Sequence, residues 1–337
     1  MKRLFLLLAL VGMCSTTAFA ARERGQAVIF ETDMGNDIDD AMALDLLLKK
    51  HEQGVIDLLG VSVHKNNPHA AEFIDIMRRW YGHADIPIGV SCVTVDDCDD
   101  YATRVCRMVD GRGKPLFARA RRPHYEPAVE MYRRLLASSD DGSVVIISVG
   151  FSTTVAELLK SGPDRYSDLT GRELVARKVK YFSIMGGEFE MKNYAEYNIV
   201  NDIPAAQYFF DNMPVPAVIT PFKLGKRVQY PGSSIAGDFG WAVAHPMVEA
   251  YKAYARMPYD RPTWDVIACL YLFDGTEGCF SLSEPGEVNV TDKGVTLFTP
   301  SAGGRFRVIE CTDEQCGRIL DYFLRELPAP PYRYARK

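Results

Sequence analysis

Residues 31 to 40 read Glu31-Thr32-Asp33-Met34-Gly35-Asn36-Asp37-Ile38-Asp39-Asp40, four aspartates and a glutamate within ten positions. Carboxylates at this density repel one another and are costly to desolvate, so something must compensate. A hard cation that prefers oxygen, Ca²⁺ or Mg²⁺, is the natural partner. The cluster follows the apolar run Ala27-Val28-Ile29-Phe30 and precedes Ala41-Met42-Ala43-Leu44-Asp45-Leu46-Leu47-Leu48. That order predicts a strand, an acidic loop and a helix, and open α/β sheets bind ligands at that end of their strands. An Asp-rich helix start, favoured by the positive end of the helix dipole, accounts for Asp39 or Asp40 but not for the whole cluster. An EF-hand loop does not fit, because no Gly and distal Glu fall at its offsets. An Asp-nucleophile phosphatase needs Asp at the first position of D-x-D, where this chain has Glu31.

Polar groups also follow other apolar runs. Val61-Ser62-Val63 leads into His64-Lys65-Asn66-Asn67-Pro68, and Ile146-Ile147-Ser148-Val149 into Gly150-Phe151-Ser152-Thr153-Thr154. Phe182-Ser183-Ile184-Met185 leads into Gly186-Gly187-Glu188 and then Asn193-Tyr194-Ala195-Glu196-Tyr197-Asn198, while Thr263-Trp264-Asp265 opens an apolar helix. Singly, each has a plain explanation: Asn and Gly make turns, and Asp265 caps its helix. Jointly they place amides and carboxylates around one sheet edge, as recognition of a hydroxyl-rich ligand requires.

The elements that must position these groups alternate. Strands are predicted over 27–32, 58–63, 144–148, 179–185 and 217–220. Helices are predicted over 39–50, 69–80, 127–137, 153–160, 204–213, 247–254 and 264–273. Continuous apolar strands with helices between them indicate an α/β fold with a mostly parallel central sheet flanked by helices. Residues 295–298 and 305–310 are expected to form an antiparallel pair across Gly303-Gly304. Thr312 and Gln315 form a capping box for a last helix reaching residue 325. The stretch 92–123, with Arg104, Arg107, Arg112, Lys114, Arg119, Arg121 and Arg122, reads as a solvated surface loop, with an anion site as the alternative. Residues 223–239, rich in Gly, Ser and Pro, read as a mobile rim. No repeat or low-complexity linker divides the chain, so one domain is expected over 21–337.

The 337 residues are 47% hydrophobic and 25% charged, enough apolar material for a sizeable core. A formal charge of -5 argues against nucleic acid or anionic membrane as the main partner. Residues 1–20 read as an export signal: Lys2-Arg3, an apolar core over 4–13 too short to span a bilayer, and Ala18-Phe19-Ala20 as cleavage site. Bulky Met13 before Cys14 disfavours a lipoprotein. The mature chain is expected from Ala21, in the periplasm and without stable membrane insertion. Seven cysteines then remain, with Cys92/Cys98 and Cys311/Cys316 as locally plausible pairs and at least one thiol left over. The absence of any C-x-x-C disfavours structural zinc.

Several ordered blocks together resemble the calcium-dependent nucleoside hydrolases of the inosine-uridine preferring type, over residues 28–273. The carriers are Glu31-Thr32-Asp33 with Asp39-Asp40-Ala41, Gly150-Phe151-Ser152-Thr153-Thr154, Met185-Gly186-Gly187, Ala195-Glu196-Tyr197-Asn198-Ile199 and Trp264-Asp265. The resemblance implies a Rossmann-related open sheet and a Ca²⁺ held by Asp33, Asp40, Asp265 and the carbonyl of Val149, with ribose hydroxyls completing its shell. It implies that Asp33 deprotonates the attacking water. Asp39 and Asn66 would bond the diol side of the ribose, and Asn193, Glu196 and Asn198 its 3′- and 5′-hydroxyls. The substrate would be a small ribonucleoside, and homo-oligomers are common in the family.

Three departures stand out. Five residues separate Asp33 from Asp39-Asp40, two more than the common pattern, so Asp37 competes with Asp39 for a site role. Glu31 replaces the family's first Asp and is assigned to support behind the ligands. Trp264 replaces a His that would help protonate the leaving base; an indole cannot do so but can stack on a purine, or can simply pack. Two alternatives stay open: a non-catalytic protein that captures ribosides or a related sugar, and a hydrolase of another ribosyl compound on the same scaffold.

Overall fold

A computed structural model describes residues 25–91, 101–274 and 278–335. The expected export signal (1–20) and the Cys92/Cys98 pair lie outside the described residues. The described strands are β1 (Gln26–Thr32), β2 (Ile56–Val63), β3 (Ile88–Val90), β4 (Glu126–Pro127), β5 (Val144–Ser148), β6 (Val179–Met185), β7 (Ala217–Thr220), β8 (Gln229–Tyr230), β9 (Arg261–Pro262), β10 (Ser281–Leu282), β11 (Gly286–Val290), β12 (Thr296–Pro300) and β13 (Phe306–Glu310). The main sheet runs β12-β11-β13-β7-β6-β5-β1-β2-β3-β4, with β10 also paired to β13. From β13 to β4 every pairing is parallel, and only β10, β11 and β12 join antiparallel. Strands buried on both faces need continuous apolar sequence. The central β1 and β5 supply it, with Val28, Ile29, Phe30 and Val144 to Ile147 all fully buried.

Register aligns the strand ends that carry polar groups. Glu31 of β1 is opposite Ser62 of β2 on one side and Ser148 of β5 on the other. Ser148 pairs with Ile184, and Met185 with Thr220. The segments after Thr32, Val63, Ser148, Met185 and Thr220 therefore leave the sheet at one level. Helices Asp39–Gln53 and Trp264–Asp274 pack against each other on one face, which brings their first turns to that same edge.

The C-terminal pairing differs from expectation. Residues 295–298 do pair antiparallel, but with β11, whose alternating burial marks a strand with one solvated face. The tight turn is Thr291 to Gly294, where Gly294 adopts φ 75°, a conformation glycine reaches without a Cβ clash. β13 instead enters the main sheet parallel to β7. The capping box is present as expected, with helix Asp313–Glu326 opening on Thr312 and Gln315. The expected surface loop includes a buried helix, Tyr101–Cys106, and the expected rim holds two short helices, Phe222–Arg227 and Gly232–Gly237. Among the described residues no helix is long and apolar enough to cross a membrane.

Candidate active site

After β1 the chain turns at Gly35, whose φ of 112° lies in the left-handed region. The Gly35 N–H donates to the Tyr101 hydroxyl at 3.0 Å, anchoring the acidic loop to the helix at 101–106. Asp39 and Asp40 then open helix Asp39–Gln53, while Asp265 is the second residue of helix Trp264–Asp274. Because the first turns of these helices meet, carboxylate oxygens of Asp39, Asp40 and Asp265 fall within 4.8 Å of one another. All three side chains are buried. Asp39 Oδ2 accepts the Asp265 N–H at 2.9 Å, and the Thr32 hydroxyl donates to Asp40 Oδ1. Asp40 Oδ2 is buried with no hydrogen bond.

Burial pushes the carboxyls of Asp39, Asp40 and Asp265 well above the ordinary range, and repulsion from neighbouring carboxylates, Asp37 in the case of Asp39, pushes them further. Burial likewise raises Asp33 to about 6, against the opposing charge of buried Lys65. An all-oxygen set, an unbonded buried carboxylate oxygen and excess negative charge together fit a hard divalent cation such as Ca²⁺. No nitrogen or sulfur donor belongs to the triad, which disfavours zinc.

The neighbouring strand ends brace this floor. The Val149 N–H donates to the Glu31 carbonyl at 2.9 Å, which leaves the Val149 carbonyl turned toward the cavity, where it accepts from Asn198 Nδ2 at 2.8 Å. A Cβ on Gly150 would lie 2.5 Å from His64 Cε1 and 2.7 Å from the Asp33 nitrogen, so only glycine permits this approach. Glu31 accepts the Ser148 hydroxyl at 2.7 Å and its other oxygen lies 2.5 Å from His64 Nδ1, while His64 Nε2 accepts the Phe151 N–H at 3.0 Å. Since a backbone N–H can only donate, Nε2 is an acceptor and the ring proton sits on Nδ1, facing Glu31. Glu196 receives the N–H groups of Asn198 and Gly187, each at 3.0 Å; burial nevertheless carries its carboxyl up to about 7.

Aromatic groups form the mouth. Tyr194, Phe222 and Trp264 make a continuous stack, with ring centroids 4.7 and 5.5 Å apart. The Trp264 Nε1–H donates to the Phe222 carbonyl at 2.7 Å, and the Arg261 guanidinium lies 5.3 Å over the indole. Arg261 also holds Asp37 through one guanidinium edge, Nε donating to Oδ1 at 2.8 Å and Nη2 to Oδ2. This ion pair separates the competitors in the acidic loop: Asp37 is engaged by Arg261, and Asp39 turns into the triad.

One cavity thus gathers Asp33, Asp39, Asp40, Val149, Glu196, Asn198, Trp264 and Asp265 from the residues singled out in the sequence. Within it the tight carboxylate triad contains Asp39 rather than Asp33, because the Asp39 carboxylate is drawn onto the Asp265 N–H. Two expected sugar contacts are not brought there. Asn66 is exposed and lines a separate cavity beside Tyr125, since His64 and Lys65 take the inward positions after β2. Asn193 is exposed at a left-handed turn, φ 60°, on the loop after β6. Asn36, Met185, Tyr197 and Phe222 also line the cavity. Tyr197 was legible, flanked by Glu196 and Asn198; Phe222 and Arg261 carry no local signal.

Residues 28–318 match the family model described as inosine-uridine preferring nucleoside hydrolase. The chain belongs to that family. The nucleoside hydrolase match extends to a curated relative, the pyrimidine-specific ribonucleoside hydrolase RihA of Escherichia coli, 26% identical over 209 residues. That alignment spans 60% of this chain and 62% of RihA, so it covers less than two thirds of the relative's length. Among solved structures, the plant nucleoside hydrolase PpNRh1 superposes with a TM-score of 0.70 at 22% identity, covering 90% of this chain and 99% of that one. The inosine-uridine preferring nucleoside hydrolase of Bacillus anthracis gives 0.67 at 18% identity, with coverage of 90% and 99%. The purine-preferring ribonucleoside hydrolase of Gardnerella vaginalis gives 0.68 at 16%, with coverage of 90% and 98%. At these identities the structural likeness establishes the fold.

Proposed function

We propose that this nucleoside hydrolase cleaves the N-glycosidic bond of ribonucleosides, releasing free base and ribose. The observation that carries the reading is a buried carboxylate floor beneath an aromatic mouth, in one cavity at the strand ends. Asp39, Asp40 and Asp265, with the Val149 carbonyl and Asp33 beside them, would hold Ca²⁺. When bound, the cation supplies the charge that fixes the ribose diol and lowers the pKa of a coordinated water. Asp33, with its carboxyl near 6, suits a general base that works near neutrality. Glu196 and Asn198 face the sugar. The carboxylates stabilise the positive charge that develops on it as the bond to the base stretches.

Trp264 is already engaged by Phe222, Arg261 and Gly225, where a Cβ would come 2.0 Å from the indole Cδ1. The indole is one layer of a wall rather than a free-standing purine platform, so we assign the site to purine and pyrimidine ribosides alike. The proposed setting is the periplasm, with residues 1–20 as the export signal.

Incubation with inosine, adenosine, guanosine and uridine in calcium is expected to release free base, resolved by chromatography, and EDTA to abolish it. Asp33→Asn is expected to lose turnover on every ribonucleoside. Absence of release from every ribonucleoside with calcium present refutes the reading, and binding without release in the unmodified chain identifies a capture protein instead.

A further inference from the structure

We propose that the Tyr197 hydroxyl is the proton donor to the departing base, an inference that rests on the hydrolase reading above. A leaving purine or pyrimidine must depart as an anion or be protonated, and the indole of Trp264 cannot serve. The polar side chains among the described residues that line the cavity sort by task. Asp33, Asp39, Asp40, Asp265 and Glu196 are buried on the floor, away from a base that points outward. Asn198 donates to the Val149 carbonyl, Trp264 donates to the Phe222 carbonyl, and Asp37 is held by Arg261. Asn36 and Tyr197 stand at the mouth, and of these only Tyr197 carries a proton acid enough to transfer.

Depth places Tyr197 at the base rather than the sugar. The floor carboxylates are at most 4% exposed, whereas Tyr197 is 41% exposed. A riboside whose diol reaches the carboxylates therefore presents its base outward, toward Phe222, Trp264 and Tyr197. The backbone at Tyr197 is fixed on both sides, by the N–H bonds into Glu196 and by the Asn198 amide on Val149. Its ring lies 5.8 Å from that of Phe151, which in turn packs on His64. The hydroxyl donates to Asn36 Oδ1 at 3.3 Å, longer than an O–H donor usually reaches, so this bond is a weak one.

The proton and electron count closes with water alone. The C1′–N bond breaks with its electron pair going to the base, and the phenol proton goes to a base nitrogen, N7 in a purine. The water oxygen bonds to C1′ as its proton passes to Asp33. The half-exposed phenolate then recovers a proton from solvent while Asp33 returns one, so that one water is consumed per nucleoside.

The test compares Tyr197→Phe with the unmodified chain on inosine and on p-nitrophenyl β-D-ribofuranoside, whose leaving group departs without a proton. Loss of a general acid lowers kcat on inosine by about 100-fold, with KM little changed, while cleavage of the nitrophenyl riboside persists and reports an intact fold. An equal loss on both substrates, or no loss on inosine, overturns the assignment. An unmodified chain that cleaves neither substrate overturns the hydrolase reading and this inference with it.

Discussion

The carboxylate triad should make the calcium-free protein less stable than a variant with a damaged site. Oxygens of Asp265, Asp39 and Asp40 lie within 4.8 Å of one another. Two unit charges at that separation, at an effective dielectric near 20, repel by about 3.5 kcal/mol. The buried site relieves this by retaining protons, but each pKa unit of upward shift itself costs about 1.4 kcal/mol near neutrality. Asp265→Asn removes one charge and supplies an amide that can donate to its former competitors. The expected result in EDTA at pH 7.5 is a gain of roughly 2–4 kcal/mol, or about 5 °C in Tm for a chain of this size. In excess calcium the order should reverse, because the variant loses one of three clustered carboxylates and with it about 100-fold in affinity, about 2.7 kcal/mol. Thermal melts of both proteins in EDTA and in calcium, with calorimetric titration of Ca²⁺, measure both arms. An Asp265→Asn variant that is less stable than the parent in EDTA, or that keeps the parent's calcium affinity, refutes the reasoning.

Three further outcomes follow from the same geometry. The carboxyls of Asp33, Asp39, Asp40 and Asp265 are raised on folding, so the folded calcium-free chain binds more protons than the unfolded chain; its stability is greatest at acid pH and is lost as pH rises through the raised values, which for Asp33 is about 6. Melts in EDTA should therefore show a higher Tm at pH 5.5 than at pH 8, and calcium binding near pH 7 should release protons, read as buffer-dependent calorimetric heats. Gly225→Ala would drive a Cβ to 2.0 Å from Trp264 Cδ1, so it should cost about 1–3 kcal/mol by overpacking and raise KM for ribonucleosides by moving the indole, measured by melts and steady-state kinetics.

The strongest features of the fold were legible because they are local. Five predicted strands and seven helices stand within a few residues of their predicted bounds, since period and capping chemistry are written over short windows. The strand at 286–290 and the parallel entry of β13 beside β7 were not legible, because pairing is a choice among distant partners that no short window records. The same division runs through the site. The sequence by itself determined that carboxylates would crowd the end of β1, and that Val149, Glu196, Asn198 and Asp265 would emerge at other strand and helix ends. Only the tertiary structure decided which of them converge. The packing of two helix starts drew Asp39 into the triad, Arg261, 224 positions from Asp37, took that carboxylate aside, and the inward turn of His64 and Lys65 left Asn66 exposed. A side chain's chemistry is fixed by its type, but its partner is fixed by through-space contacts that chain order does not encode.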